Sequence, residues 1–217
     1  MSPQFGWLGH PSAEPAQWLA PYPYPDGAGG WLADRYAHIV RILHPAYVDD
    51  ESGRQHPVTW TQIAAATGAT MSPQVDFTDV TGVVSPDPVV EGVFDDGPEM
   101  GSLPPELIES VYEHLRDARY GLFWEGWGEF LDEPIRGCAR VSDGPDRGGL
   151  SYQVVQARAT SEPATRMRTP NYWWPEDQSW CAATGIDEVE TVVASASRVR
   201  LERLHADSRL ETLLRSR

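Results

Sequence analysis

The spacing of apolar residues changes along the 217-residue chain, and this change limits the fold more than any other feature. Over residues 31–43 the apolar side chains recur at helical spacing, which predicts a helix. The second half instead carries short apolar runs typical of buried strands, at residues 120–124, 151–157, 179–183 and 189–194. Helices before strands indicate an α+β fold, with N-terminal helices followed by a mostly antiparallel sheet with packed helices.

Local sequence signals predict further helices. Thr59 and Gln62 have the spacing of a capping box, which predicts a short helix that ends before Gly68. Residues 102–115 begin with a serine and early prolines and then show one apolar face, which is typical of a helix that starts there. Two C-terminal helices are predicted, over residues 196–206 and 207–214.

The distribution of proline suggests how the chain is divided. Residues 1–30 contain six prolines among glycine and aromatic residues, which predicts an extended or irregular arm that packs onto the rest. Residues 31–217 are predicted to form a single α+β domain. Within it, residues 82–103 are rich in proline, glycine and aspartate and are predicted to be a loop.

The charge of the chain is negative and unevenly distributed. The formal net charge is −15, and all 17 basic residues are arginine. Residues 1–133 hold 21 acidic residues and 5 arginines, whereas residues 134–217 hold 11 acidic residues and 12 arginines. The N-terminal part therefore repels phosphate, which argues against nucleic acid and favours a basic partner. An acidic surface that serves only solubility would have the same composition.

Residues 61–73 have the spacing of a helix-turn-helix motif. A recognition helix needs basic side chains for phosphate contacts, but the following segment carries Asp76 and Asp79 and no arginine. We therefore interpret the motif as a helical turn in the core and predict no nucleic-acid binding.

No motif of a phosphate loop, a dinucleotide fold, a serine hydrolase or a zinc protease is present. The side chains that come closest to a metal-binding group are His44, Asp49, Asp50, Glu51 and His56. Their spacing matches no metal-site motif. Glu125 and Glu129 have the residue types of an acid–base pair, but the pattern does not define their separation. We predict no catalytic, metal-binding or cofactor-binding residue.

Tryptophan is abundant, with nine residues in the chain. Each brings a large apolar area and one N–H that needs a partner, so clusters of tryptophan build a core or an interface. Trp173 and Trp174 are adjacent and precede Pro175, which places them at a strand end or turn. We predict that one ring packs into the core and that the other is partly exposed.

Cys138 and Cys181 lie 43 residues apart and match no metal or redox spacing. Residues 1–7 show neither the basic nor the apolar region of a secretory signal, and no apolar run approaches the ~18 residues of a membrane helix. We therefore expect a cytoplasmic protein that does not enter a membrane and whose thiols are unpaired and mostly buried.

Several motifs occur together in the chain. They are RILHPA at residues 41–46, GSLPPE at 101–106, LFWEGWG at 122–128, NYWWPED at 171–177 and WCAAT at 180–184. With this set the chain resembles an uncharacterised actinobacterial protein family over residues 31–214. The resemblance implies no activity, cofactor or catalytic residue.

The sequence leaves two functions open. The favoured one is a non-enzymatic cytoplasmic binding protein, such as an immunity or antitoxin-like protein that neutralises a basic toxin. Its predicted partner-binding residues are Asp95, Asp96, Glu99, Trp173 and Trp174. The alternative is an enzyme of unrecognised class with a small-molecule pocket. The predicted lining of that pocket is Trp124, Trp127, Trp173 and Trp174.

Overall fold

A computed structural model describes residues 4–19, 27–85, 88–126, 135–142, 150–160 and 168–215. The strands are β1 (Gln4–Gly9), β2 (His38–Leu43), β3 (Ala46–Asp49), β4 (Gln55–Val58), β5 (Tyr120–Trp124), β6 (Arg140–Ser142), β7 (Ser151–Thr160), β8 (Tyr172–Trp174), β9 (Trp180–Ala183), β10 (Glu190–Ser195) and β11 (Thr212–Arg215). β3 and β4 form a separate hairpin, and the other nine strands form one antiparallel sheet.

The order of the sheet is β1-β7-β5-β8-β9-β10-β2-β11, and β6 pairs with β7 on the same side as β1. β2 therefore lies inside the sheet, although it comes early in the chain. Its two neighbours, β10 and β11, come from the last part of the described chain. The position of β2 thus depends on pairing between residues that are far apart in sequence.

Helices cover both faces of the sheet. They are a 3₁₀ helix (Glu14–Leu19), α1 (Gly27–Arg35), α2 (Trp60–Thr67), α3 (Phe77–Thr81), α4 (Pro105–His114) and α5 (Arg198–His205). α4 and α5 pack into the core on one face, and α1 and the 3₁₀ helix pack into the core on the other. α2 and α3 form a third cluster with the hairpin and the end of β2.

The α+β class and the mostly antiparallel sheet are confirmed. The predicted order of helices first and strands later is not confirmed, because β1 precedes the helices described and α4 lies between β4 and β5. Helices and strands instead alternate in short groups along the chain.

The prediction of one helix over residues 31–43 is wrong in its second half. α1 ends at Arg35, and residues 38–43 form β2. Five of the six residues of β2 are buried, because both faces of the strand are covered. Such a strand carries an almost unbroken apolar run, in which Ile39, Val40 and Leu43 imitate helical spacing.

The prediction of a helix over residues 207–214 is also wrong. Residues 212–215 form β11, which pairs with residues 39–42 of β2 at the edge of the sheet. A strand of four residues has too few positions to reveal its period in the sequence. Pairing with a distant segment determines the structure here.

The N-terminus of α2 follows the prediction closely. The hydroxyl of Thr59 accepts a hydrogen bond from the backbone N of Gln62 at 3.2 Å, and Oε1 of Gln62 accepts from the backbone N of Thr59 at 2.8 Å. The carboxylate of Glu211 caps the same end, since it accepts from the backbone N atoms of Trp60 and Thr61 at 2.7 and 2.8 Å. α2 is therefore held by its own sequence and by a residue just before β11.

Other predicted elements coincide with the structure or differ by a few residues. β5 covers the predicted residues 120–124, and α4, β7, β9, β10 and α5 lie within or next to their predicted ranges. Residues 4–9 of the predicted arm form β1 and pair with β7. In residues 82–85 and 88–103 the structure has turns and isolated bridges, without a helix or a longer strand.

Trp173 and Trp174 lie on β8 with their rings on opposite faces of the sheet, and both are buried. Trp173 packs edge-on against Tyr112 and Trp180, with ring centroids 4.9 and 5.7 Å apart. Trp174 packs against Trp18 on the other face, with centroids 5.5 Å apart. The prediction that one of the pair is partly exposed is wrong, because packed segments cover both faces of β8.

Cys138 and Cys181 are both free thiols, as predicted. Cys181 lies on β9 and is fully buried, whereas Cys138 is partly buried. Burial raises the pKa of the Cys181 thiol, so this group stays protonated at neutral pH. Among the described residues, no helix combines the length and the apolar character needed to cross a membrane.

Candidate functional site

Acidic side chains gather on the β3–β4 hairpin and on two segments that contact it. We call this group the acidic face, which consists of Asp49, Asp50, Glu51, Asp95, Asp96, Glu99 and Glu106. Most of its members are exposed. The structure thus brings the predicted residues Asp95, Asp96 and Glu99 next to acidic residues that lie more than forty positions earlier in the chain.

Backbone hydrogen bonds fix Asp95 and Asp96 beside β3. The backbone N of Tyr47 donates to the carbonyl oxygen of Asp96 at 2.8 Å, and the backbone N of Asp95 donates to the carbonyl oxygen of Tyr47 at 2.8 Å. Oδ2 of Asp95 accepts from the backbone N of Asp49 at 3.0 Å, and Oδ2 of Asp96 accepts from Nε2 of Gln55 at 2.6 Å. The two carboxylates therefore have defined positions.

Positive charge is scarce around the acidic face. From β3 through α4 the chain contains a single arginine, Arg54, and no lysine. Within the described residues Arg168 forms an ion pair with Glu99 at 3.2 Å, and Nε2 of His56 forms a hydrogen bond with Oδ2 of Asp50 at 2.8 Å. The other five carboxylates of the acidic face have no ion-pair partner in the part of the chain that the structure describes.

The local field of the acidic face affects Tyr47, whose hydroxyl donates to Oε1 of Glu106 at 2.5 Å. Burial raises the pKa of Tyr47, and the hydrogen bond to Glu106 and the charges of Glu106 and Glu99 raise it further. Hydrogen bonds, chiefly from Ser52, hold the pKa of the Asp50 carboxyl below its usual range. Tyr47 therefore remains neutral and Asp50 remains charged at neutral pH.

His44 anchors the acidic face to the sheet through a buried network. Its Nδ1 donates to the carbonyl oxygen of Glu99 at 2.7 Å, so its Nε2 accepts from the hydroxyl of Thr191 at 2.9 Å. The hydroxyls of Thr191 and Thr184 are 2.7 Å apart. Burial lowers the pKa of His44 to about 4, so the imidazole is neutral at neutral pH.

Asn171, the only asparagine of the chain, holds the same region from the other side. Its Nδ2 donates to the carbonyl oxygens of Gly101 and Thr184 at 3.2 Å each, and its Oδ1 accepts from the backbone N of Trp124 at 2.9 Å. The sequence analysis did not identify this role. The signal that could have indicated this role is the position of Asn171 directly before the apolar residues 172–174, because a buried amide needs hydrogen-bond partners.

An open cleft of about 510 Å³ lies between the sheet and the segment that leads into α3. It is on the same face of the sheet as α1, which covers another part of that face. Ile39 and Val192 contribute to its floor. Asp76, Asp187 and Glu188 also line the cleft, and the first two are exposed. The cleft therefore combines an apolar floor with an acidic rim.

Arg41 connects the floor of the cleft to its wall. Arg41 is 6% exposed, and its guanidinium donates to the carboxylate of Glu190, through Nε at 2.8 Å and also through Nη2. It also donates to the carbonyl oxygens of Pro73 and Val75 at 2.9 and 2.8 Å. The sequence analysis missed Arg41 and Glu190, because their pairing depends on the register of β2 against β10.

The three described tryptophans of the predicted small-molecule pocket do not all lie on one face of the sheet. Trp124 and Trp174 pack on one face of the sheet and Trp173 packs on the other, and none of the three lines the cleft. Trp127 lies outside the described residues. Trp124, Trp173 and Trp174 therefore do not line a common pocket.

Of the residues considered as metal ligands in the sequence, His44 is separated from the others by the fold. His44 faces the core while His56 pairs with Asp50 on the surface, and the described residues contain no group of three or more potential ligands arranged to hold a metal. Glu125 binds Arg140, and Glu129 lies outside the described residues. Hydrogen bonds, chiefly from Ser151, hold the pKa of the Glu125 carboxyl below its usual range.

Comparisons of the chain with protein-family models, with curated proteins and with solved structures find no match in any of the three. Over the described residues the fold is α+β, with a nine-stranded antiparallel sheet covered on both faces. Its function must be argued from the acidic face and the cleft.

Proposed function

We propose that this protein is a non-enzymatic binding protein of the cytoplasm and that its acidic face binds a basic protein. The acidic face is the observation that supports the proposal, because most of its carboxylates have no ion-pair partner among the described residues. Repulsion between these charges opposes folding, and a basic partner would relieve it. An immunity or antitoxin-like protein that neutralises a basic toxin is the concrete form of this proposal.

The rigidity of the acidic face supports the same function. Asp95 and Asp96 are held by hydrogen bonds to β3 and β4, so little conformational entropy is lost when a partner binds them. A fixed group of like charges attracts an opposite charge at a distance, which accelerates association and makes it sensitive to salt. The same field repels phosphate, so nucleic acid is not the proposed partner.

Two further observations refine the proposal. Free Cys138 and Cys181 are consistent with a reducing compartment, which supports the cytoplasm. Trp173 and Trp174, which the sequence analysis placed at the partner site, are not part of the proposed surface. Both rings are buried, and a partner could reach them only by opening the core.

The test uses the triple variant Asp95→Asn, Asp96→Asn and Glu99→Gln. Each amide keeps an oxygen acceptor, so the hydrogen bonds to Asp49 and Gln55 can persist while three charges are removed. The matched control is Glu14→Gln, Asp34→Asn and Glu176→Gln, which removes three exposed charges from other elements. Both variants and the parent are used as bait in a lysate of the source cells, at low and high salt.

We expect the parent and the control to retain the same basic protein at low salt and to release it at high salt. With the purified partner, the triple variant should associate about tenfold more slowly than the control. Duplex DNA should not bind at physiological salt. A partner that binds the triple variant as fast as the control would overturn the proposal, as would the absence of any protein that distinguishes the two baits.

A further inference from the structure

The cleft is a second feature of the molecule that faces solvent with a defined shape, and the acidic face does not account for it. We propose that the cleft binds an organic cation, namely an alkylguanidinium or alkylammonium group. The proposal rests on the charge, the floor and the rigidity of the cleft. It does not depend on the acidic face or on the partner proposed for it.

The charge of the cleft favours a cation. Its lining contains four carboxylates and two arginines, and Arg41 forms ion pairs with both Glu190 and Asp76. The lining as a whole therefore carries a formal net charge of −2, and Asp187 is an exposed carboxylate within it. An anion is disfavoured because each guanidinium nitrogen of Arg41 already donates to a protein oxygen.

The floor of the cleft suits the apolar stem of such a cation. Ile39 and Val192 are neighbouring side chains on β2 and β10 that face the cleft. A short alkyl chain could lie on them while its charged end reaches Asp76 or Asp187 at the rim. Lysine and arginine side chains use this division between an apolar stem and a charged end at protein surfaces.

The cleft is also preformed. The guanidinium of Arg41 donates to the carbonyl oxygens of Pro73 and Val75 and so holds this segment against the sheet, and Glu190 holds Arg41 in place. The wall therefore does not have to be ordered by the ligand, which lowers the free-energy cost of binding.

The test is a titration of the isotope-labelled full chain with n-butylguanidinium and n-butylammonium, followed by NMR. Neutral n-butylurea and anionic pentanoate serve as matched controls of similar size. We expect saturable shifts of the backbone amides of Thr78, Asp187 and Val192 with both cations and no saturable shifts with the controls. Shifts confined to the acidic face, saturation with pentanoate, or no saturation with either cation would overturn the proposal.

Variants then assign the binding to the cleft. Asp76→Asn with Asp187→Asn removes two rim charges, and we expect affinity for n-butylguanidinium to fall about 5- to 30-fold. Asp95→Asn with Asp96→Asn removes two charges from the acidic face and should leave that affinity unchanged. Thr78→Trp keeps every charge and should block the cleft sterically. Equal effects of the two charge variants, or full affinity in Thr78→Trp, would contradict a site in the cleft.

A final arm distinguishes two sources of the same cation. The peptide N-acetyl-glycyl-arginyl-glycinamide carries the guanidinium on a polypeptide, whereas n-butylguanidinium is a free small molecule. Tighter binding of the peptide would support the proposal with an arginine side chain as the natural ligand. Equal or tighter binding of the small molecule would support it with a free organic cation.

Discussion

Arg41 and His44 lie three positions apart at the end of β2, and each holds one of the two candidate binding regions in place. Arg41 is buried, it fixes the wall of the cleft through hydrogen bonds to the carbonyl oxygens of Pro73 and Val75, and it is paired with Glu190. His44 is buried and neutral, and it fixes the acidic face through its hydrogen bond to Glu99. The first region thus depends on a charge that must stay paired, and the second depends on a group that must stay uncharged.

This difference means that the two regions respond to different perturbations. Removing one partner of a buried ion pair leaves the other charge uncompensated, so the cleft is sensitive to the loss of a partner of Arg41. A buried imidazole gains a charge in acid and then loses its favourable environment.

Replacing Arg41 with methionine should lower the free energy of unfolding by about 3–5 kcal/mol. The change leaves Glu190 without its cation and leaves the carbonyl oxygens of Pro73 and Val75 without donors. Urea denaturation at neutral pH measures the loss. The unfolding transition should also begin with the amides of residues 73–76.

The matched control is Arg198→Met, which breaks an exposed ion pair with Glu202 on α5. Its cost should be below about 0.5 kcal/mol, because solvent screens the exposed charges. Similar losses in the two variants would show that Arg41 has no special role. The double variant Arg41→Met and Glu190→Leu should recover part of the stability, because no uncompensated charge remains.

Acidification should weaken the molecule through His44. The pKa of His44 is about 4 in the folded protein, against 6.5 for the unfolded side chain. Above pH 6.5 both states are neutral and the contribution to stability is fully present. Between pH 6.5 and 4 the unfolded chain binds a proton that the folded protein does not, so stability falls by up to about 3 kcal/mol.

Urea denaturation at several pH values measures this effect, with His44→Gln as the comparison. Glutamine can still donate to Glu99 and accept from Thr191, but it does not titrate. The number of protons that the chain takes up on unfolding in this pH range should be smaller for the variant than for the parent by nearly one. Identical profiles for the His44 variant and the parent would contradict the prediction.

Glu211→Gln should have the smallest effect, a loss of about 0.5–1 kcal/mol. Glu211 is partly exposed, and its carboxylate caps α2 next to Thr59. Glutamine keeps an acceptor oxygen but loses the favourable interaction of a negative charge with the helix N-terminus. Thermal unfolding measures the difference. The control Glu109→Gln changes an exposed residue of α4 and should melt like the parent.

The elements that could be predicted from the sequence are those with local signals. The capping box of Thr59 and Gln62 defined α2, and a short apolar run defined β5, because both signals involve neighbouring residues. The same reasoning failed for β2 and β11. β2 is buried on both faces, so apolar and polar residues do not alternate along it. The strand conformation of β11 is determined by its pairing with β2.

The candidate sites were predictable only in part, for the same reason. The acidity of Asp95, Asp96 and Glu99 was visible in the sequence, but their contact with the hairpin was not. Arg41 and Glu190 are 149 positions apart, and only the sheet brings them together. Interactions across such separations leave no periodic trace in a single sequence.

The place of β2 between β10 and β11 has a consequence for the timing of folding. A ribosome releases β2, the hairpin and α2 long before it releases residues 190–215, which flank β2 and cap α2. Until then the acidic residues belong to a chain segment that repels itself, and pairing over such long distances is slow. We therefore expect the acidic face to take its folded arrangement only after β11 has been synthesised, so a partner that recognises this arrangement would distinguish chains that contain β11 from shorter nascent ones.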